Sequence, residues 1–164
     1  MDLTYYANLA EILGTAAIIV SLIYVAIQIR QHTRVTKLST AQNVSSDMRE
    51  SLSVLANDGT MASIHLRAMK DVASLAPEEK HRFYIYVNNI YKVYENAYYQ
   101  NLQGAMDPYM WHAVVGNLLI GKDSSGYKSF WRDRKQIFSK AFQDFYDNEL
   151  TEPEIRTMDA YERQ

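Results

Sequence analysis

At 164 residues the chain is long enough for one folded domain with a real core, and too short for two once its apolar N-terminal segment is set aside. It has no cysteine, which excludes a disulfide framework, a thiolate metal site and a cysteine nucleophile. The net charge of −2 divides unevenly: every Lys and Arg lies at or after Arg30, as does every acid except Asp2 and Glu11, so that part of the chain is neutral and lacks the clustered basic excess of a nucleic-acid binder.

The first predicted element is a membrane-spanning helix. From Leu9 to Ile29 the only strongly polar residues are Glu11 and Gln28, at the two ends. At about 1.5 Å per residue this stretch is roughly 31 Å long, the thickness of a bilayer's hydrocarbon core. A cleaved signal peptide fits poorly, because "MDLTYYANLAE" has no Lys or Arg and the apolar run ends in "QIRQHTR" without a small-residue cleavage site. A buried core helix is the other reading of the same pattern. Arg30, Arg34 and Lys37 follow the stretch and no cation precedes it, so the positive-inside rule places the N-terminus outside and the rest of the chain in the cytoplasm. The expected location is a plasma membrane, crossed once, with Tyr5 and Tyr6 at the outer interface.

Within this segment positions 7, 10, 14, 17, 21, 24, 28 and 31 read Ala, Ala, Gly, Ala, Ser, Tyr, Gln, Gln, whereas Ile12, Ile19 and Ile23 lie off that line. Ala10 with Gly14, and Ala17 with Ser21, are small pairs four apart, the spacing that lets helix backbones approach closely in lipid. Ala10, Gly14, Ala17, Ser21, Tyr24 and Gln28 are therefore the candidate association seam, and a homo-oligomer or a membrane-protein partner is its expected occupant.

No proline or glycine lies between Gly14 and Gly59, so the helix is expected to run on from about residue 4 to 56, with a break near Thr36 to Ser39 as the alternative. Leu38, Ala41, Met48, Leu52 and Leu55, with Ser45, supply its apolar spacing beyond the span. "NDGT" at 57–60 ends it. A second helix follows over 61–74. "APEEKHRF" opens a third from Pro77 to about Gln103, with Phe83, Val87, Ile90, Tyr94 and Ala97 as one stripe and Tyr84, Tyr91 and Tyr98 beside it. Asp107 caps a fourth, ending at Gly121. A last amphipathic helix carries Tyr127, Phe130, Trp131, Ile137, Phe138, Ala141, Phe142 and Phe145 on one face. Thr151 to Glu154 fits a capping box at the start of a short acidic tail helix. The class is all-α: an anchor over 1–30, a cytoplasmic helical domain over 31–150 and an acidic tail over 151–164.

Chemical motifs are sparse. Glu78-x-x-His81 has the spacing of a di-iron bridge, but a second copy and two further inward glutamates are lacking, so a solvated first turn is expected. His65 and His112 have no partner at metal-ligand spacing, which points to structural hydrogen bonds. "GKDSSGYKS" from Gly121 to Ser129 misses the phosphate-loop pattern, with Tyr127 where the lysine belongs, and reads as a linker. The tyrosines of the third helix, with Asn88, Asn89 and Asn96, either line a polar pocket or form a core that satisfies its own hydroxyls. No nucleophile elbow or triad is present. Neither a catalytic residue, a cofactor nor a metal is expected.

"VSLIYVAIQIRQHTR", followed by "GAMDPYMWH" and "FWRDRKQIFSKAF", resembles a loose group of uncharacterised bacterial proteins with one N-terminal membrane helix and a cytoplasmic helical domain. The resemblance implies that topology and no activity. The expected function is a membrane-anchored scaffold or accessory subunit that self-associates. A small oligomeric channel with Ser21 and Gln28 facing a pore is the second reading, and an enzyme or receptor using a tyrosine-rich pocket the third.

Overall fold

A computed structural model describes residues 3–150, apart from the side chains of residues 3–5, 7, 9 and 10. The Thr151–Glu154 capping box and the acidic tail lie outside the described residues. The fold is all-α, with no strand among the described residues.

Helix α1, Leu3–Asn57, is continuous through the position expected for a domain boundary at residue 30 and through Thr36 to Ser39. With no helix breaker after Gly14, its 55 residues extend roughly 82 Å. Its last third packs on α2 and α3. The packing face differs from the expected one. Leu38 and Leu52 are exposed at 59% and 49%, whereas Val44 is buried and Lys37, Ala41, Ser45, Met48, Ser51 and Leu55 are half-buried. Positions 37, 41, 44, 48, 51 and 55 alternate steps of four and three; they keep Ala41, Met48 and Leu55 of the expected stripe and put Lys37 and Ser51 in place of Leu38 and Leu52, so the true face is turned by roughly 50°.

Asp58 turns the chain into α2, Gly59–Lys70, by accepting the backbone N–H groups of Thr60 (2.9 Å) and Met61 (3.0 Å). The helix expected over 61–74 stops early. Asp71 is extended (φ −152°, ψ 103°), and its carboxylate accepts the Ala73 N–H at 2.9 Å to start a separate 3₁₀ turn, Val72–Ser74. The central helix α3, Pro77–Leu102, has glutamates in its first turn and Pro77 at its start, as read from "APEEKHRF". It ends where Gly104 takes the left-handed conformation (φ 67°) that favours glycine. The stripe Phe83, Val87, Ile90, Tyr94 and Ala97 is fully buried.

Helix α4, Pro108–Lys122, is capped by Asp107, which accepts the Tyr109 N–H at 2.9 Å. The supposed linker at 121–129 proves to be a two-residue turn at Asp123–Ser124, because Gly121 still belongs to α4 and Ser125 opens α5, Ser125–Arg134. Gly126 is there for close packing: a Cβ on it would meet the Phe83 ring at 2.7 Å and the Ala68 carbonyl oxygen at 2.9 Å.

The last amphipathic stretch is not one helix. After α5 come a 3₁₀ turn, Lys135–Ile137, a short helix α6, Lys140–Asp144, and a π turn, Phe145–Glu149. The break lies at Phe138 and Ser139. Glu95 Oε1 accepts the Ser139 N–H at 2.6 Å and Ser139 Oγ accepts the Phe142 N–H at 3.3 Å, so Ser139 caps a new helix. The rotation this introduces leaves Ile137 and Ala141 exposed, while Tyr127, Phe130, Trp131, Phe138, Phe142 and Phe145 are buried as expected.

Candidate functional site

The apolar half of α1 is covered by nothing among the described residues. Its most apolar 18 residues have a mean hydropathy of 2.3, and none is buried. From Ile12 to Ile29 eleven large apolar side chains are each at least half exposed. This is the opposite of a core helix, and it far exceeds the apolar patch that a soluble monomer shows. The helix is long and apolar enough to cross a membrane.

The seam residues described are all exposed. The side chain of Ala10 lies outside the described residues, and so does that of Tyr5; Tyr6 is exposed. A Cβ on Gly14 would have nothing within 4 Å. The polar members find partners inside the helix: Ser21 Oγ donates to the Ala17 carbonyl oxygen at 2.8 Å, and Gln28 Nε2 donates to the Tyr24 hydroxyl at 2.6 Å. Thr15 and Thr33 make the same four-residue return, to the carbonyls of Glu11 and Ile29, both at 2.9 Å. These bonds shield polar groups within an apolar stretch, so the placement of Ser21 and Gln28 does not by itself require a second chain.

Where the apolar stretch ends, α1 and the start of α4 enclose a groove of about 650 Å³. Arg30, Arg34 and Lys37 line it from one face of α1; Asp107, Tyr109 and Met110 line it from α4. Sequence reading took the three cations only as flanking charges, since nothing in the spacing shows that the α3–α4 turn folds back on them.

The tyrosine-rich region is a packed core. Tyr91 is 1% exposed, and rings of Tyr94, Tyr127, Phe130, Trp131, Phe138 and Tyr146 surround it within 6.0 Å. The hydroxyls serve one another: Tyr91 and Tyr146 are 2.7 Å apart. Burial pushes Tyr86 up to about 12 and holds Tyr91 and Tyr94 well above the ordinary tyrosine range, so none ionises at neutral pH. Asn96 and Asn89 are exposed, Asn89 beside Tyr86 in a shallow groove against α1; Asn88 is half-buried, with its Oδ1 enclosed and unpaired.

An open cleft of about 400 Å³ lies between the start of α3 and the end of α5, lined by Pro77, Lys80, His81, Tyr84, Asp133 and Arg134. Tyr84, Lys80 and Asp133 engage one another. The Tyr84 hydroxyl donates to Asp133 Oδ2 at 2.7 Å, and Lys80 Nζ lies 3.9 Å from the same oxygen. Hydrogen bonds from Arg132 and Tyr84 hold the Asp133 carboxyl below its ordinary range, so it is a fixed acceptor and no base at neutral pH. Glu78 and His81 are both exposed, and the neighbouring Glu79 instead forms a two-pronged pair with Arg67 (2.5 and 3.1 Å).

His65 is half-buried among Phe83, Tyr86 and Tyr127, with Nε2 3.4 Å from the Tyr127 hydroxyl. His112 is half-buried on α4. Burial lowers the His65 pKa from its ordinary 6.5. The unfolded chain therefore binds a proton that the folded one refuses, and stability falls as pH drops below 6.5 toward the folded value. Full-length protein in detergent is expected to melt at a lower temperature at about pH 5.5 than at about pH 7, and His65→Gln to lose part of that difference. Equal pH dependence in parent and variant would show that His65 is not the group responsible.

No protein-family model matches the chain, and no curated protein or solved structure is detectably similar to it.

Proposed function

We propose that the first half of α1 anchors this protein in a plasma membrane, that the Ala10–Gln28 seam of that helix pairs with a second copy, and that the helical domain works on the cytoplasmic side as a scaffold or accessory subunit. The observation that carries the proposal is the uncovered apolar stretch from Ile12 to Ile29. A bilayer is the surrounding that such a surface needs, and the cations from Arg30 onward set its orientation.

Self-association draws support from where the seam points. At about 100° per residue, the seam centred on Ser21 lies roughly 180° around α1 from the face centred on Met48 that packs on α2 and α3. A second α1 laid on the seam would meet no part of the bundle. With Ser21 and Gln28 bonded internally, close approach at Gly14, Ala17 and Ser21 is what the seam offers a partner.

Gly14→Ile and Ser21→Ile are each expected to reduce cross-linking between copies in membranes by roughly tenfold, the loss of one well-packed helix contact. Ile19→Leu and Ile23→Leu, on the opposite face, should change it little. Equal cross-linking in seam and control variants would remove the seam from the proposal and leave the anchor standing.

A further inference from the structure

The groove at the end of the apolar stretch has a use that the anchor alone does not explain. Arg30, Arg34 and Lys37 stand at steps of four and three on one side of α1, facing the start of α4. None of the three makes an ion pair among the described residues, whereas eight other cations do. Asp107 is the acid lining the groove, and its carboxylate is held by the Tyr109 N–H at 2.9 Å as the cap of α4. The groove thus sets three cations against one carboxylate, an excess of positive charge. The rest of its lining joins Thr33 and Tyr109 to the apolar Leu38, Ala41 and Met110. The volume of about 650 Å³ is that of a small-molecule site, and the groove begins one residue after Ile29, at the depth where phospholipid headgroups would lie around a span ending there.

We infer that this groove binds the phosphate headgroup of an anionic phospholipid, with Arg34 and Lys37 on the phosphate and the apolar lining against the glycerol and first acyl carbons. This rests on the membrane anchor proposed above. Charge complementarity excludes a cationic occupant, and the apolar wall favours a lipid over free phosphate.

The test uses full-length protein in a neutral detergent, given short-chain phosphatidylglycerol, short-chain phosphatidylcholine or inorganic phosphate, with retained ligand read by native mass spectrometry. Phosphatidylglycerol should be retained over phosphatidylcholine, and inorganic phosphate at the same concentration should not displace it. Arg34→Gln and Lys37→Gln should each reduce retention about fivefold, the worth of one cation at an anionic lipid surface. Arg49→Gln, exposed on α1 outside the groove, should not. Equal retention of both lipids, displacement by phosphate, or no effect of the two groove variants would overturn the proposal. Alkaline extraction of the same variants from cell membranes separates the two readings. Extraction of every variant and the parent alike would defeat the anchor, while a firmly held Arg34→Gln that has lost no lipid would defeat the groove alone.

Discussion

Leu22→Lys combined with Ile23→Lys is expected to strip the protein from membranes. Both side chains are more than half exposed in the middle of the apolar stretch, where no other described residue shelters a charge. Each lysine near the centre of a span costs about 2.5–3.5 kcal/mol on insertion scales, so the pair removes roughly 5–7 kcal/mol. Alkaline extraction followed by centrifugation should move the protein from the membrane pellet to the supernatant or to aggregates. Leu22→Ile with Ile23→Leu should leave it in the pellet. A doubly charged variant that stays in the membrane pellet as firmly as its parent would show that the stretch is held by a protein surface and not by lipid.

The second large effect belongs to the domain. Phe83 is fully buried on α3, its ring near those of His65, Tyr84 and Tyr127 and against the backbone of Gly126. Phe83→Ala should cost about 3–5 kcal/mol, because the lost transfer energy is joined by a cavity between α2, α3 and α5 that a helix backbone cannot collapse into. Against a typical total of 5–15 kcal/mol this is a large share. The reciprocal change, Gly126→Ala, should cost about 1–3 kcal/mol by overpacking. Phe83→Leu should relieve only part of that strain, since the Ala68 carbonyl oxygen would still stand 2.9 Å from the new methyl. Urea unfolding followed by far-ultraviolet circular dichroism in detergent would measure all three. A Phe83→Ala variant as stable as the parent would mean that α2, α3 and α5 do not pack around this ring.

These elements divide by what a periodic pattern can carry. The Phe83–Ala97 stripe was legible because α3 is long, begins with proline and acids, and is buried on a face wide enough to tolerate small errors of phase. The α1 face was read about half a residue's turn off because Leu38 and Leu52 are the bulkier apolar choices, while Val44 and Ser51 lie against the bundle beside the expected Ala41, Ser45 and Met48. The break at Ser139 was hidden within a run of aromatics that suits one helix; it depends on Glu95, 44 residues earlier, which accepts the Ser139 N–H. The early end of α2 had a local signal in Asp71, a residue that bonds its own following backbone.

The candidate site was legible to a similar extent. The apolar stretch and its heptad seam are one-dimensional features, and α1 presents them unbroken. Ser21 and Gln28 also bond within the helix, to Ala17 and Tyr24 four residues back, which the heptad spacing alone does not show. The groove at Arg30, Arg34 and Lys37 arises only because the turn after Gly104 brings Asp107 and Met110 back to a helix some 70 residues earlier in the chain.

The chain's lack of cysteine makes the decisive measurement direct. Asn8→Cys, Ile19→Cys and Ser46→Cys each introduce a single thiol at an exposed position of α1: before, within and after the apolar stretch. Treated as intact cells with a membrane-impermeant maleimide, only Asn8→Cys should label; after the membrane is opened Ser46→Cys should label as well, and Ile19→Cys should remain protected until detergent is added. Labelling of Ile19→Cys as readily as the other two in opened membranes would show that no bilayer surrounds the stretch, and labelling of Ser46→Cys but not Asn8→Cys in intact cells would reverse the orientation.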